Sequence, residues 1–499
     1  MEISNVLNMK SKEKQNLRIE SDILVPQYIN QTECVFNIRK NGILDIGSRL
    51  IIGVKASDGN TQLTNTAGVY AIIRSATLRT SKGVNIAQTQ DVDYLLSINN
   101  NFVEPSVRER RGVVANGTYQ NYQYTNNEDD SIKGVLTYAK NPKGRNGIAA
   151  DTTDLVQREA RFSISSALSS EYSIKLSQLF PELFPFQIPL FLLDDQLQLH
   201  LTFTSGVSTG SRGLNSTGVN GVGNVNTGTV NLQLNEVKLH SNHLYFSDDT
   251  MDQLRMMSRS QTGIIIPYSD FNLIKNTYSA VNDPAEGAST IVKHRRNLGL
   301  SNLRLRYMLV HNLMGSISDS IEAQPNTRAG VGKYASRGPM TSDCGVEAQI
   351  VVNNENYYPR ALNTYAKFYQ ELEDVYGIPA SIPRGGYCAE GSVNDSQALS
   401  QIGAGNLHDI NKNSAWTNRV FYGTNQTNNI AQNFIMGFNF ATSKRDNVGV
   451  GIPIGVQPVE FLYNHTYTRG NSGAILQRIF CCVERMMVIK NGEIMTTNS

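Results

Sequence analysis

The sequence predicts an all-β protein in which one arrangement of strands occurs twice along the chain. Only 18% of the 499 residues are charged, whereas roughly 25% is usual for soluble proteins, and the turn formers Gly, Ser, Thr and Asn are abundant. Runs of alternating apolar and polar residues recur between the turns, and this period of two is typical of half-buried strands. The same order of elements is found in both halves of the chain.

In the first half, strands are expected one after another. They are CVFNIRKNGIL, SRLIIGVKA, VYAIIRSATLRT and, after a turn at residues 81–83, VNIAQ. The segment DVDYLLSINNNF is expected to form a short helix after this hairpin. Further strands are expected at residues 160–164 and 230–240, and at the run that begins with Leu197.

The most hydrophobic passage, residues 179–204, raises the question of a membrane span. A spanning helix needs about 20 apolar residues without charges. Here Glu182, Asp194 and Asp195 interrupt the run, and three prolines each remove a backbone donor. After the aspartates, apolar residues alternate strictly with polar ones from Leu197 onward. The pattern therefore predicts a core strand that is entered through a proline-containing loop.

The second half repeats the plan of the first. A strand, a polar turn and a strand in IVVNNENYYPR are followed by a helix, RALNTYAKFYQELEDVYG, and Asn356 here corresponds to the turn glycine Gly83. The apolar stripe predicted for this helix comprises Leu362, Tyr365, Tyr369, Leu372 and Val375, with Gly377 as the C′ residue. Ile188-Pro corresponds to Ile452-Pro, and each half ends in a strand that contains a glutamate, Glu236 or Glu484. This order of shared features predicts a duplicated scaffold.

The length of 499 residues suits two domains of about 200 to 250 residues each. We predict an N-terminal arm over residues 1–20, a first domain over 21–245 and a second domain over 246–499. A capped helix, SDDTMDQLRMMS, is expected just after the junction. The arm carries Lys10, Lys12, Lys14 and Arg18 among acidic residues, which is too little positive charge for strong DNA binding.

The charge balance and the cysteines exclude several classes of protein. The formal net charge is +2, so no strong global field favours a nucleic acid or an acidic surface. The five cysteines show no CxxC spacing, which favours free thiols in a reducing compartment. The first residues lack an apolar segment typical of a secretory signal, so an intracellular protein that is not secreted is expected.

The candidate chemical motifs are weak when their surroundings are considered. Gly206–Gly210 matches GxSxG but lies in a low-complexity loop without a strand-to-helix elbow. His240 and His243 have no Cys or acidic partner nearby in sequence, so a turn is favoured over a metal site. Neither Gly330–Lys333 nor Gly449–Gly451 has the spacing of a phosphate-binding loop. Asp194 and Asp195 are adjacent on an extended segment and point in opposite directions.

Two basic clusters and one cysteine pair complete the candidates. Arg108–Arg111 and Lys293–Arg296 lack interleaved aromatic residues, which favours solvated turns or salt bridges between subunits over nucleic-acid contacts. Cys481 and Cys482 lie in an apolar strand, where buried free thiols are usual. The sequence therefore predicts no enzyme, no catalytic residues, no cofactor and no metal site.

Three passages resemble a known family. FIMGFNFATSKRDNVGVGIPIGVQPVEFLY with VERMMVIKNGEI, VVNNENYYPRALNTYAKFYQELEDVYG, and FPFQIPLFLLDDQLQLHLTFT are similar to segments of double jelly-roll major capsid proteins. This family is shared by Polinton-like viruses, virophages, nucleocytoplasmic large DNA viruses, adenoviruses and tectiviruses. The resemblance covers nearly the whole chain after the arm and is greatest to the Polinton-like and virophage branch. It implies two tandem eight-stranded jelly rolls with short helices and long surface loops.

The resemblance also implies a function and partners. It implies a homotrimer with a pseudo-hexagonal outline that tiles an icosahedral shell around double-stranded DNA, with neighbouring capsomers, penton proteins and minor capsid proteins as partners. The arm would contact a minor protein, an inner membrane or the genome. The alternatives are a lectin-like or adhesion β-sandwich that binds glycans and, less favoured, a glycan-active enzyme. The long loops at residues 205–228, 315–345 and 384–415 are expected on the outside of the shell.

Overall fold

The computed structural model describes most strands of both halves of the chain. The described residues are 18–30, 32–45, 47–56, 62–63, 68–101, 115–116, 170–181, 183, 187–203, 214–215, 230–282, 284–285, 288–314, 346–376, 435–442, 450–456, 459–468 and 474–498. The loops predicted at 205–228, 315–345 and 384–415, the strand predicted at 160–164 and residues 1–17 of the arm lie almost entirely outside them.

The first half contains strands β1 to β14. They are β1 (Arg18–Leu24), β2 (Tyr28–Ile29), β3 (Glu33–Ile38), β4 (Ile43–Leu44), β5 (Arg49–Ala56), β6 (Gln62–Leu63), β7 (Ile73–Thr80), β8 (Asn85–Gln90), β9 (Ser170–Lys175), β10 (Ile188–Pro189), β11 (Leu197–Phe203), β12 (Leu214–Asn215), β13 (Val230–Leu232) and β14 (Lys238–Tyr245). The helices of this half are α1 (Val92–Asn101) and α2 (Leu176–Leu179), with 3-10 turns at Gly68–Ile72, Leu190–Leu192 and Leu234–Glu236.

Helix α3 (Asp248–Ser258) connects the halves, and the second half contains β15 to β24 with helix α4 (Tyr365–Tyr376). The strands are β15 (Ile264–Tyr278), β16 (Ser289–Asn297), β17 (Leu303–Met314), β18 (Val346–Val352), β19 (Glu355–Asn356), β20 (Met436–Asn439), β21 (Ile452–Ile454), β22 (Glu460–Thr468), β23 (Ile475–Lys490) and β24 (Glu493–Asn498).

Two facing sheets form the sandwich of the first half. One sheet contains the neighbours β1, β14, β5 and β9, and the other contains β3, β11, β7 and β8. If the eight strands β1, β3, β5, β7, β8, β9, β11 and β14 are numbered along the chain, the two sheets have the orders 1-8-3-6 and 2-7-4-5. This arrangement defines a jelly roll; β2, β4, β10 and β13 extend its sheets, and β6 and β12 form a separate pair.

The second half has the same topology. One sheet has the order β15, β23, β17 and β20, and the other has the order β16, β22, β18 and β19. Numbered along the chain, these eight strands again have the orders 1-8-3-6 and 2-7-4-5. The predicted all-β fold of two tandem eight-stranded jelly rolls is therefore confirmed in the described part of the chain.

The sequence patterns account for the main strands. Burial along β11 alternates at every residue, because Leu197, Leu199, Leu201 and Phe203 face the core and the residues between them are partly exposed. In β23 the segment from Arg478 to Val483 is buried continuously, as expected for a strand that is covered on both faces. No helix in the described residues is long and apolar enough to cross a membrane.

The structure corrects several local predictions in the first half. The segment VYAI begins as a 3-10 turn, Gly68–Ile72, and the strand starts only at Ile73. CVFNIRKNGIL contains two strands, because the chain turns at Gly42, where φ is +58°. Glu236 lies in a 3-10 turn before the last strand, whereas Glu484 lies within β23, so the two glutamates are not equivalent.

The predicted helices are confirmed, but Ser247 makes no side-chain cap hydrogen bond at the start of α3, and the buried face of α4 differs in part from the predicted stripe. Helix α4 buries Phe368 and Leu372 completely, whereas Tyr369 and Val375 are only partly buried. Leu362 precedes the helix and forms a bridge with Ala348 instead. The predicted stripe is therefore confirmed at Leu372, which packs against Gly437 of β20, but it missed Phe368.

Candidate assembly surfaces and the junction between the sandwiches

The junction between the sandwiches begins at β8, an edge strand of the first sandwich. Among the described residues β8 pairs only with β7, so its other backbone edge is open. Side chains of the second sandwich fill this edge. Tyr268 donates its hydroxyl to the Ile86 carbonyl at 2.5 Å, and the Gln88 amide donates to Asp270 Oδ1 at 3.2 Å. Because open edges recruit other strands, this cover protects β8 and fixes the two sandwiches together.

Asp270 is a buried acid at this junction. Its nearest charged neighbour is Arg485, whose Nε lies 3.7 Å from Asp270 Oδ2. Burial raises the pKa of Asp270 to about 6, against the opposing effects of Arg485 and the backbone N–H groups of Gln88 and Phe271. The carboxylate is therefore retained in the ionised form near neutral pH at a cost in stability.

A second buried cluster connects the sandwiches through Asp91. Its carboxylate lies 2.9 Å from Arg478 Nε on β23 and 2.9 Å from Lys275 Nζ on β15. Burial alone would raise the pKa of Asp91, but the hydrogen bonds and charges of Lys275 and Arg478 lower it overall. Asp91 and Arg478 are 387 positions apart in sequence, so this contact depends entirely on the tertiary fold.

Helix α1 starts at this cluster and packs into the second sandwich. The Asp91 carbonyl accepts the amides of Tyr94 and Leu95, and Asp91 adopts a positive φ of 46°. The Arg478 guanidinium lies 3.8 Å from the centre of the Tyr94 ring, a cation–π contact. Tyr94, Leu95 and Ile98 belong to the core cluster of the second sandwich, so the helix bridges two cores.

The turn between β23 and β24 makes a third connection. The Asn491 amide donates to the Ser258 carbonyl at 3.0 Å, and the Asp194 amide donates to the Gly492 carbonyl at 2.8 Å. Gly492 has a φ of +87°, and a Cβ at this position would lie 2.2 Å from Asp194 Oδ2. Lys82 pairs with Asp195 at 3.2 Å. Asp194 therefore contributes to the junction through its backbone amide, whereas Asp195 pairs within the first sandwich, and the two carboxylates have different surroundings.

His240 and His243 lie three positions apart within strand β14 and not in the predicted turn. His243 is buried, with Nδ1 2.7 Å from the Asn41 carbonyl and Nε2 2.8 Å from Ser241 Oγ. Both ring nitrogens thus have partners within the protein. The described residues contain no group of three or more His, Cys, Asp or Glu side chains placed to hold a metal ion.

The other candidates have structural positions where they are described. Cys481 and Cys482 are buried free thiols, and burial raises the pKa of Cys481. Val450 and Gly451 donate their amides to the buried Glu484 at 3.1 and 2.7 Å, so this glycine segment binds a side chain of its own fold. Gly206–Gly210, Gly330–Lys333, Gly449 and Arg108–Arg111 lie outside the described residues.

The basic cluster Lys293–Arg296 is a strand and not the predicted turn. It lies in β16, an edge strand that pairs with β22 over nine residues and is exposed at most of its positions. Arg295 Nε donates to Glu460 Oε2 at 2.8 Å within the same chain. A salt bridge between subunits remains a prediction for the exposed Lys293 and Arg296.

Exposed apolar side chains are found on the outer strands. On β1, Ile19 is 59% exposed and Ile23 is 63% exposed, and Val25 and Tyr28 follow with 71% and 50%. Among the described residues β1 pairs only with β14. An edge strand with solvent-exposed isoleucines can associate with another chain, so β1 is a candidate assembly surface.

Sequence reasoning missed the residues that fix the junction. Asp91 precedes a helix and resembles an ordinary N-cap, and Arg478 is one arginine within an apolar strand. Asp270 is an acid inside a strand of 15 residues, and this unusual position is the one signal that the sequence offers. Their pairing could not be inferred, because it depends on how the two sandwiches pack.

Comparison with known structures identifies the fold class. VP54 of PBCV-1, in a crystal structure fitted into a cryo-EM reconstruction of the virophage Sputnik, shares 11% identity with a TM-score of 0.53, over 98% of this chain and 98% of VP54. A chain of the Sputnik virophage structure shares 11% identity with a TM-score of 0.51, over 96% of this chain and 88% of that chain. The Faustovirus major capsid protein shares 7% identity with a TM-score of 0.52, over 96% of this chain and 92% of that chain.

At these identities the similarity shows the fold. The chain has the double jelly-roll fold of these capsid proteins, and the predicted resemblance is confirmed at that level. No family model matches the sequence, and no curated protein matches it either.

Proposed function

We propose that this protein is a major capsid protein, a structural subunit of a virus shell. The observation that carries the proposal is the extent of the structural similarity, which spans 98% of this chain and 98% of PBCV-1 VP54. A lectin-like or adhesion protein would need only one sandwich for binding. The presence of two sandwiches over the whole length, as in PBCV-1 VP54, is better explained by a tiling function.

The duplicated topology suggests how the subunit would tile. Each chain has two sandwiches of the same strand order, so three chains in a ring would present six similar sides. Such a homotrimer fits a hexagonal lattice, and the proposed shell is icosahedral and encloses double-stranded DNA. Neighbouring capsomers, penton proteins and minor capsid proteins would be its partners in a virion that is assembled inside the host cell.

The oligomeric state tests this proposal directly. We expect purified protein to sediment as a trimer in analytical ultracentrifugation and to have a hexagonal outline in negative-stain microscopy. Obligate subunit interfaces are usually large and apolar, so the trimer should persist at micromolar concentration. A stable folded monomer would contradict the proposal, and a monomer that binds a glycan array would support the lectin-like alternative.

The N-terminal arm is proposed to act in assembly rather than in folding. Its basic residues Lys10, Lys12 and Lys14 are interspersed with acids, which suits contact with a minor protein, a membrane surface or a neighbour more than tight DNA binding. Deletion of residues 2–17, which ends just before β1, should leave the trimer intact and lower the yield of closed particles. Normal particle yield from the deletion variant would contradict this function.

A further inference from the structure

The junction within the chain provides a template for contact between chains. At this junction, the first strand of the second sandwich, β15, covers the open edge of the fifth strand of the first sandwich, β8. Tyr268 and Asp270 on β15 satisfy the carbonyl of Ile86 and the amide of Gln88. Ile266 beside them belongs to the core cluster of the first sandwich and is 2% exposed.

Each of the two strands at this junction has a counterpart in the other sandwich, and the counterpart of β15 is β1. Strand β1 is the first strand of its own sandwich and pairs with the last strand, β14, as β15 pairs with β23. Ile19 and Ile23 on β1 lie on the side away from the buried Leu24. On β15 the apolar residues on the side toward β8, Ile266 and Tyr268, are almost completely buried. The same strand position is thus apolar in both sandwiches, but among the described residues it is covered only in the second.

The other counterpart is the hairpin of β18 and β19. Strand β19 is the fifth strand of its sandwich, and within the described residues it pairs only with β18, as β8 pairs only with β7. Its residues Glu355 and Asn356 are exposed. Helix α4 follows this hairpin as α1 follows the hairpin of β7 and β8. The second sandwich therefore has an open edge at the position that β15 covers in the first.

We infer that β1 of one chain covers the open edge of the β18–β19 hairpin of a second copy, with Ile19 and Ile23 buried in the contact. This inference rests on the proposed function and names the surfaces through which the trimer forms. The contact joins two different surfaces, so it is head-to-tail, and contacts of this kind close into rings when the rotation permits. In a closed trimer, six similar sandwiches would form a ring in which the internal junction alternates with this contact between chains.

A charge-insertion variant tests the surface. Ile19→Arg combined with Ile23→Arg should abolish the trimer in analytical ultracentrifugation at concentrations where the unmodified protein is fully assembled. Both side chains are exposed in the single chain, so far-UV circular dichroism should be unchanged. The matched control is Met256→Arg combined with Met495→Arg, because these side chains are 72% and 47% exposed and lie on α3 and β24. The control should remain trimeric.

A disulfide experiment decides the direction of the contact even where the arginine variant fails to fold. Ser21 lies between the two isoleucines on the exposed side of β1, and Asn356 is exposed on β19. Protein carrying Ser21→Cys, mixed with protein carrying Asn356→Cys and oxidised, should give a mixed disulfide dimer on a denaturing gel. Either variant alone should give none. Cross-linking of Ser21→Cys with itself would indicate a symmetric contact and overturn the inference.

The outcomes separate this inference from the proposed function. A hexagon-outlined trimer that tolerates the Ile19 and Ile23 substitutions and forms no mixed disulfide would refute the surface and leave the capsid function standing. A folded monomer of the unmodified protein would refute both.

Discussion

The two sandwiches have the same strand order, but within the described residues their first and last strands differ in length. Strands β15 and β23 have 15 and 16 residues, whereas their counterparts β1 and β14 have 7 and 8. The longer pair carries Tyr268, Asp270 and Arg478, which contact the first sandwich. The two sandwiches thus share a topology, while the residues that reach across to the other sandwich lie on the longer strands of the second.

The largest loss of stability is expected from Arg478→Ala, which removes a side chain that β23 places against the first sandwich. It leaves Asp91 buried with only Lys275 as a charged partner, and breaking a buried ion pair costs about 3 kcal/mol. The measurement is the free energy of unfolding in urea at constant protein concentration. Arg295→Ala is the control, because Arg295 pairs with Glu460 on an exposed strand and its removal should change stability little. Equal losses for the two variants would contradict a special importance of the junction.

The turn at Gly492 should be the next most sensitive position. Gly492→Ala places a Cβ against Asp194 and strains a residue with a φ of +87°, which together should cost about 2 kcal/mol. Gly83→Ala is the matched control, since Gly83 has a φ of +93° but no atom within 4 Å of a new Cβ. Thermal unfolding should show a larger decrease in Tm for Gly492→Ala. Similar decreases would mean that Asp194 simply moves away.

The individual strands and helices could be predicted from the sequence to a large extent, because they depend on local periodicity, whereas the jelly-roll topology is what the family resemblance implies. The alternation from Leu197 to Phe203 and the amphipathic helix at residues 365–376 are visible without any tertiary information. The junction could not be predicted, because the geometry that brings Asp91 to Arg478 arises only after both sandwiches have formed. The outer side of β15 is buried, whereas the outer side of β1 is exposed. This difference likewise depends on a neighbouring sandwich and not on the sequence pattern of the strand.

The smallest expected effect concerns pH and Asp270, the buried acid that β15 contributes to the contact with β8. The folded-state pKa of Asp270 is raised to about 6 from its ordinary value of 3.8. Folding therefore favours the protonated acid, and the stability that protonation gives is present below about pH 4 and is lost as the pH rises through 6. Between pH 5 and 7.5 this group alone should lower the stability of the unmodified protein by about 1 to 2 kcal/mol. Asp270→Asn keeps an oxygen acceptor for the Gln88 amide and cannot ionise, so its Tm should change less over this range. An unchanged slope of Tm against pH in the variant would mean that other groups govern the pH dependence.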